Sequence, residues 1–424
     1  MRSTEIKPEM DGERVIIAGW VHEVRDLGGL VFIVIRDRDG FIQITLPKKT
    51  VNLEMFKKAK KISRESVIKV EGIVKREDKA PNGFEIIPDI FEILSESHSP
   101  LPLEVTEKVP ADLETRLDNR FMDLRRPKVS SIFRIKSQIS KSIRDFLSNR
   151  GFIEVHTPKI VSTATEGGTE LFPISYFERE AFLNQSPQLY KQILMSAGLE
   201  KVFEIGPIFR AEEHNTTRHL NEATSVDIEM SFVDHEGVME ILEEMVKKVY
   251  GNVIEKCEKQ LKTLEIELEV PKTPFKRITY TEAIKILENK IPWGEDLDLQ
   301  ALKTIGNEIG GFYFITEWPT KIKPFYVMPF EDDRICKSFD LMYGYIEIAS
   351  GAQREHRYEK LLENIKRRNL YPESFEFYLK AFRYGIPPHA GWGLGLERLI
   401  MAMLGLSNIR EAMLFPRDRT RLVP

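Results

Sequence analysis

The chain has 424 residues, 42% hydrophobic and 30% charged, enough to bury a sizeable core and to build two domains. A net charge of −4 excludes a surface given over wholly to nucleic acid, while leaving room for a local basic patch. Two cysteines, Cys257 and Cys336, cannot make a disulfide framework and show no metal-ligand spacing, which fits a reducing cytoplasm.

No apolar run reaches the roughly 18 residues of a membrane span, and no signal peptide is expected, so the expected location is cytoplasmic with no membrane contact. From Arg14 to about Leu94 the chain reads as five short strands, "RVIIAGWVHEV", "LVFIVIRDRDG", "FIQITL", "SVIKVEGIVKR" and "FEIIPDIFEIL". A Lys-rich helical piece, "LEMFKKAKKI", falls between the third and fourth. That order suggests an OB-fold barrel over residues 1–97. The turn "RDRDG" is a hairpin signal, because Asp-Gly tolerates the positive φ of a tight turn. Residues 98–127, with several prolines and little periodicity, read as a hinge.

Residues 128–424 mix helices with strands, an α+β pattern. Ile132, Ile135, Ile139, Ile143 and Phe146 recur at helical spacing before Gly151, and a second amphipathic helix runs from about His235 to Val249. Residues 252–329 carry less pattern and read as a candidate insertion. There is no internal repeat.

Three segments carry charge where a buried sheet would be expected to be apolar. "GPIFRAEEHNTTRHL" (206–220) sets Arg210, Glu212, Glu213, His214, Arg218 and His219 at the lip of a strand pair. "SFDLMYGYIEIASGAQRE" (338–355) places Asp340, Glu347, Ser350 and Arg354 around an aromatic-rich strand. "HAGWGLGLERLIMAML" (389–404) is a Gly-rich turn entering an apolar helix, with Arg398 just inside. A solubilising loop is the bland reading of the first segment alone. Together, acids on strands and arginines at turns suit a polyphosphate with a divalent metal, because arginine forks match phosphate and paired carboxylates hold Mg²⁺. Neither a P-loop nor a Rossmann fingerprint is present.

Over nearly its whole length the chain resembles the class II aminoacyl-tRNA synthetases, and within them the short archaeal-type aspartyl-tRNA synthetases. "GFIEVHTPKI" with Pro158 is similar to motif 1, "VFEIGPIFRAEEHNTTRHLNEATSVDIEMSF" to motif 2 and "GWGLGLERLIM" to motif 3. The resemblance implies an antiparallel sheet flanked by helices behind an anticodon-reading barrel, and a homodimer built on motif 1. It implies that Arg210 reaches the ATP α-phosphate and the amino-acid carboxylate, with Arg398 clamping the γ-phosphate as the second catalytic arginine. Around ATP it places Ala211, Glu212, Arg218, His219, Leu220, Glu347, Gly395, Leu396 and Glu397. Mg²⁺ would be held by Glu347 with Asp340 and Ser350. Asp340 and Glu347 stand seven positions apart, so strict alternation would put them on opposite faces, and a bulge near Gly344 is expected to repair this.

For the amino acid the resemblance implies Glu166 in the mobile segment "EGGTELF", Gln188, Leu189, Tyr190 and Lys191 in "QSPQLYKQ", and Arg210, Ser350 and Arg354. Lys191 with Arg354 would make the side-chain pocket cationic, so that aspartate is accepted and asparagine leaves charge unpaired. In the barrel, Phe32 and Gln43 match positions that stack on and hydrogen-bond the central anticodon base. The Lys-rich helix could meet tRNA phosphates, or simply be solvated. His22 and Pro81, taken as loop positions, match relatives that tolerate both the tRNA(Asp) and the tRNA(Asn) anticodon. Such an enzyme needs an amidotransferase to convert Asp-tRNA(Asn). The expectation is a Mg²⁺-dependent ligase using ATP, L-aspartate, tRNA(Asp) and tRNA(Asn). Its rivals are a strictly tRNA(Asp)-specific enzyme, an asparaginyl-tRNA synthetase and a non-enzymatic tRNA-binding paralogue.

Overall fold

The structure is a computed structural model describing residues 1–106, 108–162, 170–213 and 216–423. The chain divides into two compact units, Met1–Asp112 and Leu113–Pro424.

The first unit is a five-stranded closed barrel: β1 (Arg14–Asp26), β2 (Leu30–Arg36), β3 (Phe41–Pro47), helix α1 (Leu53–Lys61), β4 (Val67–Arg76) and β5 (Phe84–Ser95), in the order β1-β2-β3-β5-β4. Alternation sends Val31, Ile33 and Ile35 inward with Ile42, Ile44 and Leu46, and leaves Phe32 half-buried on the outer face. The 37–40 turn forms as expected, by a different device. Neither Asp39 nor Gly40 takes a positive φ; instead the Asp37 carboxylate accepts the backbone N–H groups of Asp39 (2.8 Å) and Gly40 (2.9 Å).

The stretch 98–127 is not one linker. Leu103 and Val105 are buried and Glu104 pairs with Arg64 in the first unit; short helices at Leu113–Asp118 and Arg120–Asp123 open the second.

In the second unit α2 (Pro127–Ser148) starts on a proline, whose missing N–H is no loss at a helix start, and presents Ile132, Ile135, Ile139, Ile143 and Leu147 to the core. It is followed by β6 (Ile153–Glu154), α3 (Gln188–Ser196), β7 (Lys201–Phe209), β8 (Glu222–Ser231) and α4 (His235–Lys256). Then come β9 (Lys276–Thr279), α5 (Leu299–Ile309), β10 (Phe312–Thr316), β11 (Ser338–Tyr343), β12 (Ile346–Gln353), β13 (His389–Gly395) and α6 (Leu396–Leu404). The main sheet runs β9-β10-β11-β12-β13-β8-β7-β6, antiparallel except at its two outer pairs. A small sheet joins Ile160–Val161, Arg179–Leu183 and Pro173–Tyr176.

Residues 252–329 prove integral to this sheet. They supply β9 and β10 at one edge, and Ile278, Ile284, Ile305, Tyr313 and Ile315 join a core cluster with Leu189 and Val202.

Candidate active site

Central strand β8 is buried on both faces, so its acids cannot be solvated: Asp227 is 4% and Glu229 0% exposed. Each faces a glycine of β13, Gly393 opposite Asp227 and Gly391 opposite Glu229. A Cβ on Gly391 would collide with the Glu229 carboxylate, and one on Gly393 would stand 3.1 Å from Asp227 Oδ1. The glycines of "GWGLG" therefore make room for two buried carboxylates.

Two cations meet those acids. Lys191 Nζ donates to Asp227 Oδ1 (2.9 Å) and to the Trp392 carbonyl (3.1 Å), and lies 3.6 Å from Glu229. Arg354 grips Glu229 through Nε (2.9 Å) and Nη2 (3.3 Å). Burial alone would raise the Glu229 carboxyl, yet Arg354 and Lys191 hold it below its ordinary value. Burial pushes neighbouring His389 down to about 4, so it adds no charge near neutral pH. The pocket expected to be cationic is thus balanced, two cations against two carboxylates, because β8 supplies counter-ions that the Lys191–Arg354 pair alone does not reveal. What remains open is a set of donors. Gln188 Oε1 accepts from Arg354 Nη2 (3.4 Å), which fixes the orientation of that amide. Gln188 Nε2 is then left buried without a partner among the described residues.

Helical geometry separates the "QSPQLYKQ" residues. Gln188, Lys191 and Gln192 share one face of α3, whereas Leu189 is buried in the core and Tyr190 packs toward Phe377, their ring centroids 6.0 Å apart. Leu189 and Tyr190 do not line the cavity, and Lys191 lies behind its wall.

The same cavity, about 400 Å³, takes in the charged lip and the β12 residues. Arg210 follows β7; its backbone N–H donates to the Asn221 carbonyl (3.0 Å), and Asn221 Nδ2 donates back to Arg210 O (2.7 Å). Arg210 Nε is buried without a partner among the described residues. Glu212, Arg218, His219, Leu220, Gly395 and Arg398 line the cavity with it. Burial and the three arginines drive His219 down to about 4, so this imidazole is neutral near pH 7. Arg218 lies over the Tyr345 ring at 5.7 Å, and Arg398 donates to the Glu347 carbonyl (3.1 Å). Ala211 and Leu396 fall outside the lining; Leu396 is buried in the core. Glu397 reaches the wall but its carboxylate is occupied, by Lys136 Nζ (2.7 Å) and the Thr224 N–H (2.9 Å). Glu166 and His214 lie outside the described residues.

The expected bulge exists, on the partner strand rather than at Gly344. Leu341 pairs with Ala349 and Met342 with Glu347, so Ile348 is the extra residue, while Gly344 takes the tight turn at φ +54°. The insertion brings Glu347 to the face that Asp340 shares with its partner Ser350. Asp340 is buried, accepts Lys323 Nζ at Oδ2 (2.7 Å), and keeps Oδ1 without a partner among the described residues. Burial raises the Asp340 carboxyl. Desolvation by the surrounding residues works against ionisation of Glu347 too, although 45% of its side chain is exposed, and Arg398 and Lys323 hold it below the usual range. Two carboxylates and a hydroxyl on one face, with an orphaned oxygen, fit a Mg²⁺ ion shared with phosphates. Asp227, Glu229, Lys323 and Tyr326 complete the site; sequence assigns none of them a role, and for the two acids the missing signal is burial of both β8 faces.

In the first unit, Phe32, Gln43, Thr45, Glu85, Lys75 and Lys79 surround a separate cavity of about 520 Å³. Gln43 Nε2 donates to Glu85 Oε2 (3.2 Å). His22 is not in a loop: it is the bulged residue of β1, between the pairs Val21–Ile35 and Glu23–Val34. Its ring lies beside Phe41 and its Nδ1 is 3.2 Å from Arg36. Pro81 is exposed in the turn closed by Gly83 N–H to the Ala80 carbonyl (2.9 Å), where a proline's fixed φ fits. Lys58 and Lys60 of α1 already pair with Glu54 and Asp26. No helix among the described residues is long and apolar enough to cross a membrane.

Comparison with known proteins agrees with this geometry. Residues 112–419 match the family described as tRNA synthetases class II (D, K and N), and residues 15–94 match the OB-fold nucleic acid binding domain. An Archaeoglobus fulgidus protein named aspartate–tRNA(Asp/Asn) ligase is 69% identical, covering 100% of this chain and 99% of its own length. A Pyrococcus horikoshii protein named aspartate–tRNA(Asp) ligase is 59% identical over 100% of this chain and 99% of its own. Among solved structures, asparaginyl-tRNA synthetase from Pyrococcus horikoshii, complexed with asparaginyl-adenylate, superposes with a TM-score of 0.94. It shares 37% identity and covers 100% of this chain and 99% of that one. With the OB-fold barrel ahead of an antiparallel sheet and the arginines and acids gathered in one cavity, the chain belongs to the class II tRNA synthetases of the D, K and N group, in their archaeal-type aspartyl branch.

Proposed function

We propose that this protein activates L-aspartate with ATP and transfers the aspartyl group to the 3′ end of tRNA(Asp) and of tRNA(Asn). The observation that carries this reading is the cavity in which Arg210, Arg218 and Arg398 face Glu347, with the buried Asp340 on the same sheet face, beside a charge-balanced pocket with open donors. Arg210, with its unpartnered Nε, stabilises the charge that grows as a carboxylate oxygen attacks the α-phosphorus and pyrophosphate departs. Arg218, Arg398 and neutral His219 receive the outer phosphates, Glu212 faces the base, and Glu166 and Ser350 meet the α-ammonium. Asp340 Oδ1, Glu347 and Ser350 would hold Mg²⁺, which supplies charge neutralisation to the phosphates when bound.

The asparaginyl reading is favoured by one observation, the pocket's zero net charge. Donor count opposes it. The groups left open at Gln188 Nε2 and the Arg354 guanidinium are N–H donors, matched by a carboxylate and faced by an amide NH₂ only at a cost of about 1–3 kcal/mol. A homodimer is supported by exposed Ile153 and Ile160 in the motif 1 stretch, with Phe121, Leu414 and Phe415 also exposed. The protein acts in the cytoplasm.

On the barrel, Phe32 stacks on the central anticodon base and Gln43 reads its edge. Tolerance at the third base comes from Pro81, which offers neither an N–H nor a charged head, and from His22, held back by Arg36 and Phe41. Asp-tRNA(Asn) then passes to an amidotransferase. With ATP, Mg²⁺ and aspartate, the protein is expected to charge tRNA(Asp) and tRNA(Asn) with efficiencies within about tenfold of each other, since the central base is common and one base contact is worth about 1–3 kcal/mol. Gln43→Ala should lower both by about 5- to 150-fold and leave aspartate-dependent pyrophosphate exchange unchanged. Charging of neither tRNA would refute the reading, and equal damage to both reactions would make Gln43 a structural partner of Glu85.

A further inference from the structure

Among the described residues that line the cavity, Lys323 is the one cation with a role toward neither the phosphates nor the amino acid, and it is unusually fixed. Its Nζ donates to Asp340 Oδ2 at 2.7 Å, between side chains that are 15% and 5% exposed. The ring of Trp318 lies 4.2 Å from the same Nζ, and that indole is itself buried and tied through Nε1 to the Ile315 carbonyl (3.1 Å). Pro324 follows, holding Lys323 in an extended backbone at φ −102° and ψ 157°. A surface lysine has none of these restraints.

The consequence is electrostatic and geometric. Lys323 ties one oxygen of Asp340 and leaves only Oδ1 open, so the carboxylate can offer a cation one oxygen. Glu347 faces Arg398, whose Nη1 is 3.5 Å from Oε1. Two carboxylates stand against two fixed cations, and a bare divalent ion meets no net negative charge there. An ion that arrives on a triphosphate meets a different field, because Arg210, Arg218 and Arg398 attract the phosphates that carry it.

We infer that Lys323 is a built-in counter-ion of Asp340, a positioning residue that keeps the acid pair from holding a bare divalent cation and so makes metal uptake depend on the nucleotide. The inference rests on the proposal that Asp340 and Glu347 are the metal's ligands. A Mn²⁺ titration with and without nucleotide separates the two.

Free Mn²⁺ is followed by electron paramagnetic resonance during titration into the full-length protein, without nucleotide and with a non-hydrolysable ATP analogue. Without nucleotide, Lys323→Met and Lys323→Gln should each bind Mn²⁺ at least tenfold more tightly than wild type, Lys323→Arg should match wild type, and Asp340→Asn added to Lys323→Met should remove the gain. The Gln variant keeps a donor to Asp340 should the Met variant fail to fold. Variants that bind bare Mn²⁺ no more tightly than wild type, while the analogue still brings the ion into the site, would overturn the inference and leave the metal ligands standing. If Asp340→Asn and Glu347→Gln change Mn²⁺ binding neither with nor without the analogue, the ligand assignment fails and the inference with it.

Discussion

Replacing Lys191 with methionine is expected to abolish aspartate-dependent pyrophosphate exchange and to destabilise the fold by about 3–5 kcal/mol, the cost of leaving a buried charge without its partner. Lys191 is 2% exposed and its ammonium is held by Asp227 and the Trp392 carbonyl, so its removal leaves the buried Asp227 carboxylate only the neutral Ser225 hydroxyl and weakens the balance at Glu229. Methionine matches the stem and leaves little cavity, so the loss reports charge and not packing. Adding Asp227→Asn to Lys191→Met should recover a large part of the stability without restoring exchange. Urea unfolding of the two variants beside wild type checks this. A Lys191→Met protein as stable as wild type would mean that the buried pair contributes nothing.

Arg210→Ala should show the opposite pattern, a loss of about 10²–10³ in kcat for exchange with almost no change in stability. Its Nε has no partner among the described residues, so the fold does not depend on the guanidinium, whereas the reaction needs a donor aimed at developing charge. The lip itself is held by the backbone and by Asn221, which the substitution leaves in place. Steady-state exchange kinetics and a thermal melt on the same preparation decide it. A variant that melts early and loses activity only in proportion would make Arg210 a structural residue.

Much of the fold could be read from period alone. Val31, Ile33 and Ile35 alternate with Leu30, Phe32 and Val34, so the barrel and the outward aromatic follow from two-residue repetition. The long helix over Pro127–Ser148 follows from its isoleucines. What could not be read depends on contacts distant in sequence. Lys191 meets Asp227 across 36 positions, and nothing near either residue announces the pair. Only the central place of β8 in the sheet shows that Glu229 is buried. The bulge was deducible as a need, since Asp340 and Glu347 had to share a face, but its position at Ile348 is set by strand register, to which local sequence is nearly blind. Lys323 shows the same limit: a lysine before a proline reads as a loop residue until Asp340 and Trp318 close around it.

The pocket beside Arg354 and Gln188 takes a carboxylate, and ATP–pyrophosphate exchange measured with aspartate and asparagine in parallel is the measurement that decides it. Aspartate should support exchange with a kcat/KM roughly 10²-fold above that of asparagine, because open donors at the pocket meet an acceptor in one case and an amide N–H in the other. Exchange supported equally well or better by asparagine would mean that the pocket is built for an amide.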